Sequence, residues 1–241
     1  MSAKIKHHSI IISDVHFGSP MCQSKELLKF LENIEVKFLI LNGDIFDDLR
    51  FNRLKHFDWE AFSQIRKISD HCSVIWNRGN HDIIHEGFMS CLLGVRVVNG
   101  FSWNVGEKKM FALHGDKWDV YIYKYRLLNG LATWLYNKVQ EIHLGLAKRV
   151  TKWFKKKSKI LTRNSAEVKK GALKMAKEKE FDAIFCGHTH VAELERINEV
   201  VYGNSGTFES DVPTFITVDP SVIGLYRWQG GKSTLLSEQK L

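Results

Sequence analysis

The sequence predicts an α/β fold that gathers its chemistry at one end of its strands, and three observations predict it. Short apolar runs of strand length alternate with segments of helical period. The 241 residues are 44% hydrophobic with only 3 Pro, enough to bury a full core as one domain or one domain plus an insertion. Five apolar runs end in polar loops: Asp14-Val15-His16, Gly43-Asp44, Gly79-Asn80-His81-Asp82, His114-Gly115-Asp116 and Gly187-His188-Thr189-His190.

Ser9 to Ile12 reads as a buried strand that delivers Asp14 and His16 to its C-terminal loop. Gln23 to Ile34 reads as a helix with Leu27, Leu28, Leu31 and Ile34 on one face. Phe38 to Leu41 is a second strand, ending at Asp44, so the rhythm is βαβ. Asp58 is the expected N-cap of a helix through Ile68, and Val74 to Trp76 a third strand leading into Asn80 and His81. Lys109 to Leu113 and Ala183 to Cys186 are a fourth and a fifth strand, ending at His114 and at His188 and His190. In open α/β sheets ligands sit beyond the carboxyl ends of the strands, so loops far apart in sequence can form one site.

Residues 118–160 break this rhythm. Trp118, Tyr121, Tyr123, Tyr125, Trp134, Tyr136, Trp153 and Phe154 stand among many leucines, and a cationic run follows from Lys148 to Lys159. The segment reads as a helical insertion above the sheet within a single domain of residues 1–241. Asn164 and Glu167 then form a capping-box pattern for a helix to about Glu178. Past Val200, the runs Val200 to Tyr202, Phe215 to Val218 and Leu225 to Trp228 suggest a second sheet layer, with Gly230-Gly231 as a hairpin turn.

A formal charge of +8 favours anionic partners, namely phosphates, nucleic acid or an acidic membrane surface. The four cysteines form no CxxC pair and the first 13 residues lack a signal-type apolar run, which points to the reducing cytoplasm. No stretch approaches the ~20 apolar residues of a spanning helix, so membrane contact is expected to be peripheral.

Asp14, His16, Asp44, Asn80, His114, His188 and His190 offer imidazole, carboxylate and amide oxygen donors. Taken singly, each motif reads more readily as a turn. Together at strand exits they suit two ions sharing a carboxylate, and the mixed donors suit Mn, Fe or Zn better than Mg or Ca. Two such ions would clamp phosphoryl oxygens and activate a water for in-line attack. His81 is then expected to donate a proton or hydrogen bond to the developing charge, with Asp82 orienting it.

In order and over nearly the whole chain, these motifs resemble the calcineurin-like metallophosphoesterase pattern. The resemblance implies a four-layer αββα sandwich in which Asp14, His16 and His190 hold one metal, Asn80, His114 and His188 the other, and Asp44 bridges. Manganese is the first expectation. More narrowly, Ser13 to Pro20 with Cys22, Leu41 to Asp47, and the aromatic, basic insertion resemble the UDP-2,3-diacylglucosamine diphosphatases of lipid A synthesis. That resemblance implies a nucleotide-sugar lipid substrate, the insertion as a lid, and contact with an anionic membrane surface. The best-known branch carries Arg where this chain has His81. A phosphodiesterase or nuclease of the same fold is the rival within enzymes, and a non-catalytic scaffold the alternative from another class.

Overall fold

Alternation within the apolar runs decides how many layers the chain must build. In β1 (Ile5–Ile12), Ile10 and Ile12 serve one core and Ile11 another, and all three are fully buried. β2 (Ile34–Asn42) repeats this with Leu39 and Leu41 against Ile40, and β3 (Ser73–Asn77) with Val74 and Trp76 against Ile75. Strands buried on both faces need a layer on each side. A computed structural model describes residues 4–48, 50–82, 86–119 and 159–241 and supplies both.

The first face packs on α1 (Ser24–Glu32) through Leu27, Phe30 and Leu31, and on α2 (His56–Ser69) through Ala61, Phe62 and Ile65. α3 (Glu86–Leu93) adds Met89 and Leu93 to this core and leads to β4 (Arg96–Val98). The second face meets another sheet, built from β5 (Phe101–Val105), β6 (Lys108–Ala112), β7 (Ala183–Cys186), β8 (Glu193–Ile197) and β9 (Val200–Asn204). The far side of that sheet carries Ile184, Cys186 and Tyr202, covered by Val168, Ala172 and Ala176 of α4 (Lys159–Lys179). Helix, sheet, sheet, helix is the expected four-layer sandwich.

β10 (Thr214–Val218), β11 (Val222–Gln229) and β12 (Lys232–Lys240) complete the first sheet, whose order is β12-β11-β10-β1-β2-β3-β4. The second runs β5-β6-β7-β9-β8. β1 to β4 pair in parallel, as do β6, β7 and β9, so each group ends together. The fourth and fifth expected strands therefore belong to the second sheet, and those after residue 200 divide between both.

Other expectations shift for local reasons. The first helix stops at Glu32, because Ile34 already pairs with Ile5 in the sheet. Asp58 is not the N-cap of α2. It sits in the first turn and accepts a hydrogen bond from the Lys55 amide at 2.8 Å. Asn164 does not open α4, which begins at Lys159. β12 escapes a hydrophobic reading because nearly all its side chains are at least partly exposed; it is a strand by its ladder to β11, with a bulge opposite Leu225 and Tyr226. Of the expected insertion, residues 120–158 lie outside the described residues. Among the described residues, no helix is long and apolar enough to cross a membrane.

Candidate metal centre

The backbone beyond the strand ends continues to pair, and that pairing aims the polar side chains. The amide of Asp14 donates to the Gly43 carbonyl and that of His16 to the Asp44 carbonyl, both at 3.0 Å, which locks the first two loops side by side. In the second sheet Leu113 N donates to Phe185 O and Gly187 N to His114 O. Asp14, His16, Asp44, His188 and His190 all adopt left-handed backbone, with φ of 52°, 52°, 52°, 67° and 57°. Such angles are uncommon outside glycine and cost about 1–3 kcal/mol each, a strain that concentrates at functional sites. Close approach also needs two glycines. A Cβ at Gly43 would lie 2.3 Å from His114 Nδ1, and one at Gly79 would lie 2.2 Å from Asp44 Oδ1.

Two sets of potential ligand atoms result, each within 4.8 Å of one another: Asp14, His16 and His190, and Asp44, His114 and His188. A third grouping, His16, Asp44 and His81, joins them. Asn80 lies between Gly79, packed on Asp44, and His81, whose amide donates to Asp44 Oδ1 at 2.8 Å. All seven expected ligands thus come together.

Whether a cation fits can be judged from unsatisfied atoms. Asp14 Oδ1, both ring nitrogens of His16, Asn80 Oδ1 and His114 Nε2 are buried without a hydrogen-bond partner. Burying one such group unpaired costs about 1–3 kcal/mol, so five together ask for a cation. His190 Nε2 comes to 3.0 Å from Asp14 Oδ1, and His114 Nε2 to 3.3 Å from Asp44 Oδ2. These are ion-pair distances without hydrogen-bond angles, as expected of lone pairs converging on common points.

Charge follows the same geometry. Burial pushes the Asp14 carboxyl up, but His190 and His114 outweigh it and hold it at about 2. Burial also opposes ionisation of Asp44, yet His114 and His16 keep it far below the usual range. The His114 ring, lowered by burial, is carried to about 10 by Asp44. Its Nδ1 is 3.0 Å from the Asn42 carbonyl, which accepts that proton and leaves Nε2 for the centre.

His81 and Asp82 part company. The His81 ring turns Nδ1 to the Asp47 carbonyl at 2.7 Å. Burial lowers its pKa, but Asp44 and then Asp47 outweigh this and raise it. Asp82 accepts from the amides of Ile45 and Phe46 on one oxygen, and from Trp76 Nε1 and the Gly79 amide on the other. Its carboxyl is raised to about 6 by burial and by Asp44. The expectation that Asp82 orients His81 is therefore corrected: the Asp47 carbonyl holds the ring, and Asp82 reaches it only through charge.

Several contributors were not singled out by the sequence motifs. Asn42 Nδ2 donates to Leu113 O at 3.0 Å, and Asn77 Nδ2 to Asn42 Oδ1 at 2.7 Å and to Ala112 O at 2.9 Å, clasping the two sheets beside the centre. Asn204 Nδ2 donates to Gly187 O at 2.7 Å and so steadies the loop of His188 and His190. Three strands, β2, β3 and β9, end in these asparagines, and that recurrence was the available clue. Asp116 opens a single 3₁₀ turn (Asp116–Trp118), and the buried acid after it, Asp119, contacts His188.

Curated proteins return no match. Solved structures of the same fold include a Vps29 double mutant from Entamoeba histolytica (13% identity, 97% of this chain and 98% of that chain, TM-score 0.54). YfcE, a phosphoesterase from E. coli, covers 96% of this chain and 97% of its own (13% identity, TM-score 0.52). At such identities the likeness concerns the fold alone. The calcineurin-like phosphoesterase model matches residues 8–192, a span that holds both ligand sets and His81. A centre whose buried, unpartnered donor atoms fit cations, lying within a span matched by that model, leads to one conclusion: the chain belongs to the calcineurin-like phosphoesterase family and is a metal-dependent hydrolase.

Proposed function

We propose that this phosphoesterase cleaves the pyrophosphate of UDP-2,3-diacylglucosamine, releasing UMP and 2,3-diacylglucosamine 1-phosphate. The observation that carries the chemistry is the pair of His/Asp clusters joined through His16 and Asp44. In this reading Asp14, His16 and His190 would hold one divalent ion, Asn80, His114 and His188 the other, and Asp44 would be shared between them, with manganese the first choice over iron or zinc. Bound, the ions would supply Lewis acidity toward the phosphoryl oxygens and an activated water. The chain's own residues do the rest. With Nδ1 held by the Asp47 carbonyl, His81 keeps Nε2 for a substrate oxygen, where it can give a proton or a hydrogen bond.

The substrate half of the proposal rests on where charged and aromatic residues lie along the sequence. Residues 120–158 contain nine Lys or Arg and a single acid, Glu141, so the whole formal charge of +8 resides in that segment. The same segment holds Tyr121, Tyr123, Tyr125, Trp134, Tyr136, Trp153 and Phe154. Cations interleaved with aromatic side chains suit an acylated, anionic substrate at an anionic membrane surface. Such a substrate would place the enzyme peripherally on the cytoplasmic face. Phe51, 42% exposed, packs edge-on against Phe46 in the loop that carries Asp44 and Asp47, and adds apolar surface beside the centre.

A side-by-side assay tests this. UDP-2,3-diacylglucosamine in mixed micelles, a soluble aryl phosphodiester, cyclic AMP and single-stranded oligonucleotides are offered to the manganese-loaded protein. The proposal expects the lipid to have the highest kcat/KM, and to lose it when the apolar residues of 120–158 are made polar. Faster turnover of oligonucleotides, or lipid hydrolysis indifferent to those replacements, would contradict the lipid substrate while leaving the phosphoesterase chemistry in place.

A further inference from the structure

The contact that ties His188 to Asp119 has chemical content beyond packing. His188 Nε2 lies 2.8 Å from Asp119 Oδ2, and the same oxygen accepts from Asn164 Nδ2 at 2.6 Å. Asp119 and Asn164 are both buried, at 5% and 8% exposure. One carboxylate oxygen taking two hydrogen bonds acts purely as an acceptor, so His188 must carry its proton on Nε2. Nδ1 is then the nitrogen with a free lone pair, and it is the one left to meet a cation. The His188 amide is held separately, donating to Asp14 Oδ2 at 3.0 Å, and its ring stands edge-on to His114 with centroids 5.1 Å apart. Backbone and ring are thus fixed by different partners.

The two buried residues also sit at particular places in the chain. Asp119 directly precedes residues 120–158, and Asn164 follows them in the second turn of α4. The stems are seated as well, for a Cβ on Gly171 of α4 would lie 2.4 Å from the Trp118 ring. A carboxylate that orients a metal-binding imidazole strengthens that ligand, and its removal typically costs about 10- to 100-fold in metal affinity.

We infer that Asp119 is a positioning residue that sets the His188 tautomer for the second ion, and that Asn164 completes it, so that both stems of segment 120–158 are joined to the metal centre by the chain Asn164, Asp119, His188. This rests on the two-ion reading above, and the experiment separates the two. Co(II) binding is followed in the wild type, Asp119→Asn and Asn164→Ala by titration calorimetry and by the visible absorption of the bound ion, with circular dichroism and thermal melting to establish folding. Asp119→Asn, which keeps size and removes the acceptor charge, is expected to weaken one of two sites roughly 10- to 100-fold and alter its spectrum. Asn164→Ala is expected to shift the same site in the same direction by less, although it touches no ligand. Asp119→Glu should recover part of the affinity if a carboxylate is what matters. Wild-type affinities and spectrum in a folded Asp119→Asn would overturn the inference and leave the two-ion reading standing. If the wild type takes up one ion, the two-ion reading falls, and the same comparison decides whether Asp119 and His188 serve that ion.

Discussion

His81 holds its ring as His114 does, with Nδ1 on a backbone carbonyl, but it is only half-buried where His114 is fully buried. Its Nδ1 faces the Asp47 carbonyl, and its amide, not its ring, is bonded to Asp44. A ring so held can meet a substrate oxygen without being a ligand, and its loss should act on turnover alone. His81→Ala is expected to lower kcat on the order of 10²-fold or more with metal content unchanged, read by steady-state kinetics and elemental analysis of the same sample. Loss of an ion instead would make His81 a ligand, grouped with His16 and Asp44. At this scale the sequence showed the residues that gather at the centre, because each follows an apolar run at a strand exit. It did not show Asp119, whose partners His188 and Asn164 lie 69 and 45 residues away. Nor could it show left-handed backbone at Asp14, His16, Asp44, His188 and His190, since neither Asp nor His requires it.

At the scale of elements, Asp82 is a clamp. Its carboxylate takes two amides from the loop after β2 and a ring N–H and an amide from β3 and its exit, so it binds the Asp44 loop to the Asn80 loop. Asp82→Ala would leave these buried donors unsatisfied and should cost about 3 kcal/mol or more in urea unfolding. Asp82→Asn, which keeps one acceptor oxygen, should cost less. A loss within about 1 kcal/mol for Asp82→Ala would show that the loops hold together without it. The hydrophobic runs β1, β2, β3 and β7 were legible because strands buried on both faces leave continuous apolar stretches. β5 and β8 were not, since their solvent-facing residues break the run, and in β12 exposure leaves only the ladder to define the strand.

Taken whole, the molecule places its centre at the seam of two sheets. β1, β2 and β3 of one sheet bring Asp14, His16, Asp44 and Asn80, while β6 and β7 of the other bring His114, His188 and His190. Continuous apolar runs implied layers on both sides of the first sheet, but not that the fourth and fifth strands had crossed to a second one. Only pairing partners distinguish those arrangements. Asp44 stands at the crossing, within 4.0 Å of His16 Nε2 from its own sheet and 3.3 Å of His114 Nε2 from the other, with His81 bonded to its second oxygen. The number of divalent ions per chain, measured by elemental analysis after manganese reconstitution and gel filtration in the wild type and in Asp44→Ala, tests this shared role of Asp44. Two ions are expected for the wild type, fewer than two for a folded Asp44→Ala, and loss of phosphodiester hydrolysis with the missing ion. A wild type that retains no metal, or an Asp44→Ala protein with full activity, would contradict that role.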